Sequence, residues 1–286
     1  MIVTSVAEAL REAAAALSAT SPTARLDAEL LMAHALCCTR SDLLLRHTRA
    51  DVPSGFAELV DRRLTGQPLA QITGEQEFYG LSLKVTPDVL IPRPDSETLI
   101  EAAREAFADR APARILDCGT GSGALLLAAL SLWPDAQGVG IERSPAALAV
   151  AADNAVRTGL AGRAAMQAGD WTCEGWADTL GRFDLILANP PYVETGDPDL
   201  APDVRAHEPA EALFAGVDGL DDYRVLLPQL PALLSPGGIA VFEIGSRQAD
   251  PVAAIARATG LDSRLHRDLG DNPRALVFRA ALTGFS

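Results

Sequence analysis

Apolar positions recur at helical spacing in the first part of the chain and at strand spacing further on. Ala7, Leu10, Ala14 and Leu17 lie three to four residues apart, and Leu26, Leu30, Leu31 and Ala35 repeat the pattern after a Ser21-Pro22 start signal. Leu43–Leu45 and the set Phe56, Leu59, Val60 and Leu64 predict two more helices, with Pro53-Ser54-Gly55 as punctuation between them. From Glu77 the period shortens. Phe78, Leu81, Leu83 and Val85 approach alternation, and Val89, Leu90 and Ile91 follow Pro87-Asp88, which predicts two short strands around a turn, ending at Pro92-Arg-Pro94.

From Asp95 onward strand and helix patterns alternate. The strands are predicted at Arg114–Cys118, Gly138–Glu142, Ala164–Gly169, Phe183–Ala188, Ile239–Ile244 and Ala275–Arg279, with helices at Leu125–Leu132, Pro145–Thr158 and Leu220–Leu234. Alternation of this kind implies an α/β fold, a parallel sheet with helices on both faces, whose ligands sit beyond the carboxyl ends of the strands. The expected organisation is a helical domain over residues 1–76, a hairpin linker over 77–94 and an α/β domain over 95–286.

Composition narrows the function classes. Of 286 residues 48% are hydrophobic, enough for a sizeable core. Lys and Arg number 24 against 38 Asp and Glu, a net charge of -14, which disfavours nonspecific binding to a phosphate backbone. Only 5% of residues are aromatic, so an extended base-stacking platform is not expected either. Cys37, Cys38, Cys118 and Cys173 have no CxxC spacing, and the four histidines are scattered, so neither a disulfide framework nor a metal site is expected. Glu8, Arg11 and Glu12 interrupt the N-terminal apolar run, and no stretch of roughly 20 apolar residues occurs. No membrane partner is expected, and the expected location is cytoplasmic.

Candidate chemistry sits at the predicted strand ends. Gly119-Thr120-Gly121-Ser122-Gly123 follows one strand and opens a helix; its GxGxG spacing is neither the dinucleotide fingerprint nor a phosphate-binding P-loop. The next strand ends in Glu142, where a carboxylate can accept from both hydroxyls of a ribose. The third leads to Asp170-Trp171, an acid and an indole suited to holding and covering an adenine ring. Together they fit a nucleoside ligand without a pyrophosphate, and look like the S-adenosylmethionine site of class I methyltransferases.

Asn189-Pro190-Pro191-Tyr192 follows a fourth strand, Phe183–Ala188, which reads as buried by composition. Pro190 biases Asn189 toward an extended conformation, and the two prolines remove two N–H donors, which leaves an acceptor-rich turn beside an aromatic face. Such a turn suits a planar –NH2 group: two acceptors take its protons and aim its lone pair at a methyl carbon. The tetrapeptide alone leaves two acceptors open, the side-chain amide of glutamine and the exocyclic amine of adenine. Adenine in a duplex would have to be flipped from its stack by a protein with a basic face.

The chain resembles the bacterial release factor glutamine methyltransferases, known as PrmC or HemK, over nearly its whole length. The resemblance is carried by Asp27-Ala-Glu-Leu-Leu31 and Arg62-Arg63, by Gly74–Leu81 and Leu90–Glu97, and by Asn189–Tyr192. Glu208-Pro209, Asp218-Gly-Leu220, Tyr223, Pro236-Gly-Gly238, Glu243-Ile-Gly245 and Gln248 extend it. It implies a Rossmann-like, mostly parallel seven-stranded methyltransferase domain preceded by a small helical bundle and a β-hairpin. It implies S-adenosylmethionine as methyl donor, S-adenosylhomocysteine as product, no metal, and transfer to the glutamine nitrogen in the Gly-Gly-Gln motif of class I peptide chain release factors. It places Gly119, Thr120, Gly121, Ser122, Gly123, Glu142, Trp171 and Asn189 on the cofactor, Asn189, Pro190, Pro191 and Tyr192 on the substrate, and catalysis on Asn189, Pro190 and Tyr192. Glu142 stands where Asp is commoner, Tyr79 where Trp is frequent and Ser96 where Thr is frequent; the pattern assigns no separate role to Asp170, Arg93 or Glu97.

Overall fold

The structure is a computed structural model that describes residues 5–281. It divides into two compact units, one holding the chain up to Glu75 together with Ala201–His207, the other Gln76–Leu200 and the chain from Glu208 onward.

The first unit is helical. Val6–Leu17 starts at a capping box, in which the Ser5 side chain accepts from the Glu8 N–H and the Glu8 carboxylate accepts from the Ser5 N–H. Ala24–Ala35, Phe56–Leu64 and Leu69–Thr73 pack with it, and Arg40–Asp42 runs into a π turn at Leu43–His47. The buried stripes are shifted by about one residue from the pattern read in the sequence. Val6, Ala9, Ala13 and Leu17 face inward on the first helix; Asp27, Ala28, Leu31 and Met32 do so on the second, and Leu26 is exposed. Alanine-rich helices offer several stripes of similar hydrophobicity, and here ion pairing selects one. Asp27 is buried because Arg63 Nε (2.7 Å), Ser21 Oγ (2.8 Å) and Thr23 Oγ1 (2.8 Å) all donate to its carboxylate.

β1 (Glu75–Phe78) and β2 (Leu81–Lys84) form a two-stranded sheet. Tyr79 and Gly80 turn between them with φ of 51° and 78°, the paired positive values of a tight hairpin. The hairpin therefore closes earlier than the sequence pattern suggested: Val89–Ile91 forms no strand.

The main sheet contains β3 (Arg114–Cys118), β4 (Gln137–Glu142), β5 (Ala164–Ala168), β6 (Phe183–Ala188), β7 (Leu234–Glu243), β8 (Leu261–Arg267) and β9 (Pro273–Ala280). Their order is β5-β4-β3-β6-β7-β9-β8, parallel except that β9 runs antiparallel to both neighbours. The pattern of apolar positions did not reveal β8, an edge strand buried at Leu261 but mostly solvated beyond it. The expected Leu220–Leu234 helix is broken into Asp221–Leu226, a 3-10 turn at Leu227–Gln229 and Leu230–Leu233, with Pro228 and Pro231 each removing a helical N–H donor; Leu234 opens β7.

One face of the sheet carries Glu97–Ala106 and Ala124–Leu132; the other carries the broken helix and Ala249–Ala258. Every residue from Ala124 to Leu130 is buried, because this helix is covered on more than one side. Among the described residues no helix is long and apolar enough to cross a membrane, and the four cysteines are free.

One buried polar residue ties three segments together. Asn154 Oδ1 accepts from the Lys84 N–H (2.7 Å), and its Nδ2 donates to the carbonyls of Lys84 (3.0 Å) and Ser122 (2.8 Å). Asn154→Ala leaves these backbone groups without partners in a buried site. It is expected to lower unfolding stability by about 2–4 kcal/mol, read as a shift of the urea midpoint at unchanged m-value.

Candidate active site

Strand register brings the candidate residues to one edge. Cys118 pairs with Ile141 on one side of β3 and with Ala188 on the other, so β3, β4 and β6 end at the same level. Gly119, Glu142 and Asn189 are the next residues along that edge. It is also the switch point of the sheet, since the chain builds outward from β3 first through β4 and β5, then on the other side through β6 and β7.

The glycine loop is fixed through its backbone. The N–H groups of Gly119 and Thr120 both donate to the Ile141 carbonyl at 2.9 Å. Gly119 has φ of 72°, and a Cβ there would stand 2.9 Å from the Trp171 ring, so only glycine allows the indole to lie against the loop. Trp171 is held in turn by its Nε1, which donates to Asp222 Oδ1 at 2.9 Å. The Glu142 carboxylate is oriented by two backbone donors, Gly121 N–H on Oε2 (3.0 Å) and Ser144 N–H on Oε1 (2.9 Å). Each oxygen keeps a lone pair for a ligand hydroxyl.

These groups line a concave pocket open to solvent at the carboxyl edge of the sheet. Gly119, Thr120, Gly121, Ser122, Glu142, Trp171, Asn189 and Pro191 all reach it. Gly123 does not; it caps the following helix. Pro190 is buried away from the cavity, and Tyr192 packs against the sheet, donating its hydroxyl to Glu243 Oε1 at 3.2 Å. The Glu243 charge and burial push the Tyr192 phenol well above its ordinary range. The Asp170 carboxylate is taken up by its own loop, accepting from the Thr172 N–H and hydroxyl.

Other lining residues carried no chemical signal in the sequence. Val89–Arg93 and Ser96 form one wall, and Pro209, Glu211 and Ala212 another. A buried carboxylate joins the walls: Glu208 Oε2 accepts from the Ile91 N–H at 3.1 Å, and its Oε1 pairs with Arg93. Arg143 donates to the Glu211 carbonyl at 3.1 Å. These contacts span more than sixty residues, so no local spacing announces them. Proline flanks around Arg93 and the Glu208-Pro209 pair were the available hints. Among the described residues no group of three or more His, Cys, Asp or Glu side chains could hold a metal ion.

Comparison with known proteins places the chain among methyltransferases. The PrmC N-terminal domain family matches residues 8–74, and a methyltransferase domain family matches residues 110–258. The release factor glutamine methyltransferase of Bradyrhizobium diazoefficiens is 41% identical over 285 residues, covering 96% of this chain and 95% of its own. That of Moorella thermoacetica is 45% identical over 241 residues, covering 82% and 83%. A solved methyltransferase structure from Pyrococcus furiosus shares the fold at a TM-score of 0.53 and 17% identity, over 79% of this chain and all of that one (100%).

Asp117 lies beneath the glycine loop, fully buried. Its Oδ2 accepts from Thr120 Oγ1 at 2.6 Å, while its Oδ1 has no hydrogen-bond partner among the described residues. Burial pushes this carboxyl up to about 7, with the nearby Glu142 charge adding to the rise and the Thr120 bond opposing it. A raised folded-state pKa contributes stability that is fully present below the unfolded value near 4 and is lost as pH rises through 7. The stability difference between wild type and Asp117→Asn is therefore expected to shift in favour of the variant between pH 5 and pH 8, by at most about 4 kcal/mol. Paired urea titrations across that window measure it.

Proposed function

The chain belongs to the family of release factor glutamine methyltransferases, and we propose that its cavity holds S-adenosylmethionine against a glutamine side chain presented at Asn189. The enzyme is an S-adenosylmethionine-dependent methyltransferase that methylates a glutamine of a release factor. Within that activity we assign the glutamine of a Gly-Gly-Gln motif in class I release factors as the acceptor. Adenine in nucleic acid is not favoured: the relatives are named for glutamine, and the net charge is -14.

The residues present fit the methyl donor. Glu142, anchored by two backbone N–H groups, is assigned to the ribose hydroxyls. Gly119–Ser122 allow close backbone approach, and Trp171, seated over Gly119, is assigned to cover the adenine. When bound, S-adenosylmethionine supplies a methyl group on a sulfonium: a C–N bond forms to the glutamine nitrogen as the S–CH3 bond breaks, its electron pair stays on sulfur as S-adenosylhomocysteine, and the nitrogen gives up one proton to solvent.

The carrying observation is that Asn189 shares one cavity with the glycine loop and Glu142. Its Nδ2 donates to Ser96 Oγ, which leaves Oδ1 for a ligand. That oxygen, with a carbonyl of the Pro190–Pro191 turn, takes the two N–H bonds of the substrate amide and holds its lone pair in line. Both bonds strengthen as positive charge develops on nitrogen. Tyr192, whose hydroxyl is committed to Glu243, is assigned to hold this turn in place.

Residues 1–76 are assigned to gripping the release factor away from its reacting glutamine, 77–94 to the linker and 95–286 to catalysis. Remote contacts of that kind would select one exposed glutamine among many. The expected location is the cytoplasm, where release factors act.

Incubation with S-adenosylmethionine and either a class I release factor or duplex DNA, followed by mass spectrometry, is expected to place one methyl on the Gly-Gly-Gln glutamine. Product on adenine instead would overturn the acceptor assignment. Asn189→Ala is expected to lower kcat by about a hundredfold to a thousandfold, as loss of one transition-state hydrogen bond does elsewhere. Undiminished single-turnover rates in that variant would refute the acceptor geometry.

A further inference from the structure

Glu243 is the last residue of β7, is 1% exposed and does not line the cavity. Its carboxylate holds Tyr192 at one end of the Asn189–Tyr192 turn directly, and the Asn189 end through Ser96. Tyr192 Oη donates to Oε1 at 3.2 Å, and Ser96 Oγ donates to Oε2 at 2.5 Å. Ser96, 4% exposed, lies at the cavity wall just before the helix Glu97–Ala106, and Asn189 Nδ2 approaches its Oγ at 3.4 Å. The Tyr223 hydroxyl donates to the Glu243 carbonyl at 2.7 Å and fixes the strand end that carries the carboxylate.

Burial raises the Glu243 carboxyl, while the Ser96 bond, the Arg274 charge and the Tyr192 bond oppose the rise; with Glu243 ionised, the polarity of this chain is determined. A carboxylate only accepts, so both hydroxyls must spend their protons on Glu243. Ser96 Oγ then has lone pairs alone to offer its other neighbour. Of the two ends of the Asn189 amide only Nδ2 can donate, so Nδ2 turns to Ser96 and Oδ1 turns to the ligand. A flipped amide would set N–H groups against the N–H groups of the incoming substrate. Nothing within Asn189 distinguishes the two orientations, whose shapes are nearly identical.

We propose that Ser96 and Glu243 are positioning residues for methyl transfer, and that their hydrogen-bond polarity fixes Asn189 with its oxygen toward the substrate amide. The inference rests on the acceptor role assigned to Asn189 above. Neither residue touches the reacting atoms. Ser96 sets the amide orientation, and Glu243 sets the orientation of the Ser96 hydroxyl while holding Tyr192.

The test uses the full-length enzyme with a class I release factor and S-adenosylmethionine. Ser96→Ala is expected to lower kcat by about tenfold to a hundredfold, the effect of misdirecting one hydrogen bond. The affinity for S-adenosylhomocysteine by calorimetry and the KM for release factor are expected to stay within about twofold of wild type, a change under RT in free energy. Ser96→Thr keeps the hydroxyl and is expected to recover most of the lost rate. In Glu243→Gln the amide can donate, which frees the Ser96 proton to turn toward Asn189 Oδ1; a loss of kcat like that of Ser96→Ala is expected.

The decisive measurement is the pair Ser96→Ala with Asn189→Ala. If Ser96 acts through Asn189, the double variant is no slower than Asn189→Ala alone. Additive losses, a wild-type kcat in Ser96→Ala, or a loss of cofactor affinity as large as the loss of rate would each overturn the inference. Failure of the parent reading looks different: wild-type enzyme would leave the glutamine unmethylated, or Asn189→Ala would turn over normally, and the inference would fall with it.

Discussion

The pairing of β3 with parallel neighbours on both edges is the constraint from which the site follows. Parallel strands in register end together, so residues far apart in sequence leave the sheet at one level. Gly119, Glu142 and Asn189 each follow or end such a strand, and the reversal of building direction at β3 opens a crevice between the loops. No side chain has to reach far. The glycine loop is held by the Ile141 carbonyl of the adjacent strand, and Glu142 is held by the N–H groups of that loop and of Ser144.

Buried carboxylates organise what the sheet brings together. Glu208 joins the Ile91–Arg93 wall to Pro209 and its neighbours, Glu243 joins Ser96 to Tyr192, and Asp27 selects the inward face of its helix in the other unit. Each accepts two or more hydrogen bonds from defined donors, which fixes geometry more narrowly than apolar packing would. Asp117 is the exception. One of its oxygens has no hydrogen-bond partner, and burial raises its pKa accordingly. In a cavity built this way, the acids do more than bind: their inability to donate dictates which way neighbouring hydroxyls and amides point.

Much of this was legible in the chain. Strand–glycine–helix patterning located β3, the glycine loop and Glu142, and the apolar run Leu185–Ala188 located Asn189, because these signals are local and the central parallel strands are dominated by apolar residues. The misses have physical causes. β8 is a solvated edge strand whose polarity hides it, and Pro228 and Pro231 break a run that reads as one helix. Val89–Ile91 is apolar because it lines the cavity, not because it pairs in a hairpin. The stripes of the N-terminal helices slipped by about one residue, since alanine gives no strong preference, and on the second helix the buried Asp27, paired with Arg63 36 residues away, marks the inward face.

The sequence by itself determined the fold class, and it pointed to the strand ends and the tetrapeptide proposed to meet the planar amide. It did so because hydrophobic period, glycine freedom and proline stiffness act within a few residues. Tertiary structure alone decided which members of those motifs face the cavity. Asn189 and Pro191 do, whereas Pro190 is buried and the Tyr192 hydroxyl turns to Glu243. It also decided the orientation of the Asn189 amide, which depends on Ser96 and Glu243, 93 and 51 positions from their partners in the turn. Hydrogen-bond polarity passes through space from acceptor to donor, and no spacing along the chain encodes it.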